Sequence, residues 1–107
     1  MGSKYILLLL ILVGASNAYA AESTDYTTIS IIHPWSNGLH LRVTNGKNDP
    51  SSCGGGNGGF MLLSNNTAEY KLISSVILMA YAAKKTINIY TSGCISGGSS
   101  VIGAMAK

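Results

Sequence analysis

Between Asn66 and Lys85 the chain reads NTAEYKLISSVILMAYAAKK, and its periodicity demands a long helix. Leu72, Ile73, Val76, Ile77, Ala80 and Tyr81 recur at i, i+3, i+4 spacing, which places them on one apolar stripe. Asn66 suits the N-cap. Glu69, three residues on, can reach back to the free amides of the first turn and complements the positive dipole end. Lys84 and Lys85 suit the C-terminal carbonyls. The opposite face is unusual for a solvated helix, because small residues and Leu78 occupy it where more charge is normal. The helix is therefore expected to lie between its own sheet and a neighbouring subunit, with Ser74, Ser75, Leu78 and Ala82 at the contact. A partly covered helix in a monomer is the alternative, since scattered exposed apolar residues are ordinary.

Upstream, Lys4 followed by the apolar run Tyr5 to Val13 and by Ala18-Tyr19-Ala20 has the plan of a signal peptide. The run is short for a bilayer span. Residues 1–20 are expected to be removed, leaving 21–107 as a single domain that is secreted or periplasmic. A domain this small rarely stabilises itself by core burial alone. Its two cysteines, Cys53 and Cys94, would meet an oxidising compartment. One bridge between them is the expected pairing, with two free thiols or an inter-chain bridge as alternatives. The full chain carries a net charge of +3. Its lysines are scattered, so no nucleic-acid footprint is formed.

Strands account for the remainder. Thr27 to Ile32 is β-branched. Pro34 to Gly38 has turn chemistry, and Leu39, Leu41 and Val43 then alternate with His40, Arg42 and Thr44. Asn45 to Gly59 reads as a long loop, in which the run from Cys53 to Gly59 is flexible with the disulfide as its one fixed point. Phe60 to Leu63, Ile87 to Tyr90 and Val101 to Ala106 complete five strands, with the last two turned at Gly97-Gly98. Five antiparallel strands with a helix between the third and fourth is the layout of an OB-type Greek-key barrel. An open α+β sandwich has the same element order.

Catalytic chemistry has little to work with. No Ser-His-Asp or Cys-His arrangement is suggested, and the few carboxylates are not paired as in a glycosidase. The run Cys53-Gly-Gly-Gly-Asn-Gly-Gly lacks the Gly-Lys-Ser/Thr ending of a phosphate loop. His33 and His40 become cross-strand neighbours if the first hairpin turns at Ser36-Asn37. Two histidines only begin a zinc site, which needs a third protein ligand. Neither an enzyme, a metal nor a cofactor is expected.

The segment from Leu72 to Lys107, with LMAYAAKKTINIYTSGC starting at Leu78, then a glycine-rich turn and VIGAMAK, resembles the C-terminal part of the B subunits of five-B-subunit bacterial toxins. Cholera-like members run helix, lysine, strand, turn and a final AI-x-MA strand in this way. The overall layout is also similar to the subtilase-cytotoxin and pertussis-like B subunits. The resemblance implies an OB-fold subunit, a homopentameric ring with its helices around a central pore, binding to host-cell glycans, and a catalytic A chain as a possible partner. The cysteine positions differ from the cholera-like pairing, and no receptor-binding motif matches, so no site residue is transferred.

A sugar site would need an aromatic platform with amides and hydroxyls around it. Trp35 is the only tryptophan, flanked by Ser36 and Asn37, while Asn88, Tyr90 and Thr91 are expected on the outward side of the fourth strand. These residues form the candidate glycan site. Packing of Trp35 against the helix or a neighbouring subunit is the competing reading. A small secreted or periplasmic structural protein of the same fold, without sugar binding, is the alternative function.

Overall fold

The organising strand is Met61–Ser64, in which all four residues are buried. A strand flanked on both sides and covered on both faces reads as a continuous apolar run, and Met-Leu-Leu is one. The computed structural model describes residues 21–107, so the signal peptide expected over 1–20 lies outside the described residues. The described chain is mainly β with one helix. Its strands are β1 (Glu22–Ser23), β2 (Ile29–Trp35), β3 (Gly38–Val43), β4 (Met61–Ser64), β5 (Ile87–Ile95) and β6 (Gly98–Ala106), with helix α1 (Tyr70–Ala83) between β4 and β5.

All six strands form one sheet in the order β1-β5-β6-β4-β3-β2. β4 pairs parallel with β6 and antiparallel with β3, whereas the other neighbouring pairs are antiparallel. The chain does not leave β5 after β1. Thr24 and Ile89 exchange bonds, and Thr27 and Ile87 form a bridge with N–H···O distances of 2.9 and 2.7 Å. The run along β5 therefore continues directly into β2 at the other end of the sheet order.

Four strand expectations need correction. The sheet is not wholly antiparallel, because β4 runs parallel to β6. Pro34 and Trp35 belong to β2 rather than to a loop, and the turn narrows to Ser36-Asn37. Six strands are present, not five, because Glu22–Ser23 adds a short one. The last two strands are also much longer than Ile87 to Tyr90 and Val101 to Ala106. They meet at Ser96-Gly97, not at Gly97-Gly98. Both turn residues have positive φ (50° and 83°), as a type I′ hairpin requires. Register shifts between Tyr90 and Cys94 interrupt the alternation that would have marked the extension. Thr91, expected on the outward side, is buried, because it continues the inward alternation of Ile87 and Ile89.

The helix is shorter than Asn66–Lys85 and starts differently. Glu69 is the N-cap residue, at φ 60°, with no side-chain capping bond, so neither Asn66 nor the Glu69 carboxylate caps it as expected. The amides of Asn66 and Thr67 instead turn onto the Ser64 hydroxyl and carbonyl. At the other end Lys84 is left-handed. Its own amide and that of Lys85 close onto the carbonyls of Tyr81 and Ala80, a Schellman-type stop.

One face of the sheet and the inner stripe of α1 enclose the core. Ile29, Leu39, Leu41, Val43, Met61, Leu63, Ile87, Ile89 and Val101 pack with Ile77 and Ala80, while Tyr70, Ile73 and Val76 close its margin. The inner stripe thus runs Tyr70, Ile73, Val76/Ile77, Ala80. Leu72 and Tyr81, expected on it, are exposed.

The Cys53–Cys94 disulfide is formed, with 5.6 Å between the Cα atoms. The loop over residues 45–59 has further anchors. The Asp49 carboxylate accepts from the amides of Cys53 and Gly54 and from the Ser99 hydroxyl at 2.7 to 2.9 Å. These donors hold its carboxyl below the usual carboxylate range, the Cys53 amide contributing most. Asn48 Oδ1 accepts from the Val43 amide, and Ser51 bonds to Ser99 and Thr91.

Candidate functional site

Alternation along β3 sends Leu39, Leu41 and Val43 into the core, so His40 and Arg42 emerge on the opposite face. The two-residue turn at Ser36-Asn37 sets the register of the hairpin. It pairs Ile31 with Arg42, His33 with His40 and Trp35 with Gly38. Sequence spacing anticipates the histidine pair, and the structure brings it together. These side chains form a cross-strand column on the outer face of β2 and β3.

The column opens into a cleft of about 320 Å³, lined by Ile31, His33, Trp35, His40, Leu41, Arg42, Gly56, Asn57 and Phe60. Aromatic rings form its floor and rim. His40 stacks on Phe60 with centroids 5.0 Å apart and an interplanar angle of 11°. Trp35 lies against both imidazoles, at 4.7 Å from His33 and 5.4 Å from His40, yet remains 56% exposed. Phe60 is seated against Gly98, where even a Cβ would come within 2.3 Å of the ring.

The glycine-rich loop makes the other wall. Arg42 Nε and Nη2 donate to the Gly59 carbonyl at 3.1 and 2.9 Å, and Nη2 also donates to the Asn57 carbonyl. Arg42 thus clasps the loop by its main chain and leaves the Asn57 carboxamide free of side-chain bonds among the described residues. No group of three or more His, Cys, Asp or Glu side chains is placed to hold a metal among the described residues.

His40 is half-buried, and its Nε2 is covered without a hydrogen-bond partner. Burial, and secondly the positive charge His33 can carry, push its pKa below the usual histidine value. The unfolded chain therefore takes up a proton at about pH 6.5 while the folded chain does not until lower pH. Stability is expected to fall as pH drops from 6.5 through the folded value. Replacing His40 by Phe keeps the stack on Phe60 and removes the titration. Urea midpoints at pH 7.5 and 5.5 should differ less in the variant than in the wild type. An equal difference in both would refute this account of His40.

The expected glycan residues do not converge. Trp35 stands on the cleft rim. Ser36 and Asn37 form the hairpin tip next to it, and their carbonyls accept from the Asn65 side chain and amide at 3.0 Å. Asn88 and Tyr90 belong to β5, where the Asn88 amide donates to the Tyr90 hydroxyl at 3.3 Å, and neither lines this cleft. Arg42, Asn57 and Phe60 were not anticipated. The alternation in β3 could have revealed Arg42, but only tertiary folding brings the loop and Phe60 beside it. Comparison with known protein families, curated proteins and solved structures gives no match.

Proposed function

We propose that this chain is a secreted, non-catalytic, glycan-binding subunit that assembles as a homopentameric ring, binding host-cell surface sugars alone or on behalf of a catalytic partner chain. The observation that carries the proposal is the exposed Trp35 ring at the mouth of a cleft with free polar groups. An aromatic plate covers the apolar face of a pyranose, while amide and imidazole groups meet its hydroxyls.

An OB-like barrel is the fold proposed to present this cleft. In its favour is the bridge Thr27–Ile87, through which the run before β2 reaches β5 from the other end of the sheet order. The ring proposal is supported by the outer face of α1. Leu72, Leu78, Met79 and Tyr81 are each 44% exposed or more, and Ala82 is exposed beside them. Ser74 and Ser75 turn their hydroxyls back onto the Lys71 carbonyl, which withdraws polarity from that face. The disulfide is compatible with export, and no described helix is long and apolar enough to cross a membrane.

A glycan array probed with the oxidised mature chain tests the binding. Trp35→Ala should lose about ten-fold or more in affinity, from roughly 1.5 kcal/mol of ring contact, with an unchanged melting temperature. Loss of folding would instead return Trp35 to a structural role. Native mass spectrometry reads the assembly: five copies support the ring, and a persistent monomer favours a structural protein without it.

A further inference from the structure

The charge of the cleft is one-sided. Among the described residues its ionisable side chains are His33, His40 and Arg42, and no carboxylate lines it. The four acidic residues of the chain are Glu22, Asp25, Asp49 and Glu69. Asp25 pairs with Lys47, and Asp49 is committed to the loop amides and Ser99. Glu22 belongs to β1 and Glu69 starts α1. Arg42 satisfies its Nε and Nη2 donors with carbonyl oxygens, which orient the guanidinium without neutralising it. A fixed, uncompensated cation beside an aromatic plate is a half-made binding site whose missing half is an anion.

We infer that the cleft takes a sugar bearing a carboxylate or sulfate, with its ring on Trp35 and its anionic group towards Arg42, the free Asn57 carboxamide and His33. This rests on the glycan-binding reading and narrows it from sugars in general to acidic ones. The guanidinium supplies the charge, and Nη1 is the donor not used by the loop. The Asn57 amide adds a second donor on the opposite wall. His33 is exposed on the rim, where its ring nitrogens are within the cleft lining.

Matched pairs test it by isothermal titration of the intact, oxidised chain: glucuronate against glucose, and galactose 6-sulfate against galactose. The acidic member of at least one pair should bind about ten-fold or more tightly than its neutral partner, and the advantage should shrink as salt is raised. The two pairs distinguish a carboxylate ligand from a sulfate. Equal, salt-insensitive binding within both pairs would overturn the inference while leaving glycan binding intact. Silence from every sugar would overturn both. Asn57→Asp places a carboxylate opposite Arg42 and keeps the main-chain clasp, so it should cost the acidic sugar about ten-fold in affinity. Undiminished affinity in a variant with native circular dichroism would also count against the site.

Discussion

Replacing Cys53 and Cys94 together by serine is expected to lower the unfolding free energy by roughly 4 kcal/mol, following the loop-entropy relation for a 41-residue separation. Small domains have about 5 to 15 kcal/mol in total, so this is a large fraction of the stability present. The substitution itself is mild, since Cys53 is half-buried and Cys94 exposed, and serine leaves no large cavity at either site. The loss should appear as a lower urea midpoint. The effect also has a place. Cys53 begins the segment whose Gly56 and Asn57 wall the cleft. The amides between Gly54 and Gly59 should therefore gain hydrogen exchange well before those of β4. Bonds from Asp49 and Arg42 remain, so the loop should loosen without leaving the sheet. A midpoint matching the wild type would show that Asp49 and Arg42 suffice and that the bridge is incidental.

The helix and most strands were legible because their signals are local. Ile73, Val76, Ile77 and Ala80 repeat with the helical period, and Leu39, Leu41 and Val43 alternate beside a two-residue turn. The helix start is not legible locally: Asn66 and Glu69 have the right chemistry for a cap, whereas the chain first makes a turn on Ser64. Leu72 and Tyr81 look like core by composition, yet only the narrower stripe through Ile77 and Ala80 meets the sheet. The upper halves of β5 and β6 were hidden by glycines and register shifts that break the period of two. The site divides in the same way. The His33–His40 pair followed from the turn, and Trp35 from its rarity. Arg42, Asn57 and Phe60 meet through a clasp between residues 15 to 17 apart in a loop without periodicity, and no local pattern encodes that meeting. Asn88 and Tyr90 have suitable chemistry on a different strand.

Changing Gly38 to alanine should be among the most damaging single-atom additions to this protein. Gly38 sits at φ +142°, and a Cβ built there would stand 2.0 Å from the Leu63 carbonyl oxygen, 2.9 Å from its carbon and 3.0 Å from Ser64 Cα. Those atoms are backbone of β4, which is paired on both sides and buried, so they have nowhere to retreat. Overpacking and backbone strain each cost about 1 to 3 kcal/mol, so a loss of roughly 2 to 6 kcal/mol is expected. Gly103→Ala is the control. It has open space around the added carbon and no positive φ, and should be close to neutral. Gly38 is also the cross-strand partner of Trp35, so relief of the clash by shifting β3 must move the rim of the cleft. The single tryptophan makes this visible, since its emission should change in folded Gly38→Ala protein and stay constant in Gly103→Ala. A Gly38→Ala variant with wild-type midpoint and emission would mean that β3 and β4 do not approach as closely as this hairpin requires. The position of Trp35 above the cleft would then have to be redrawn.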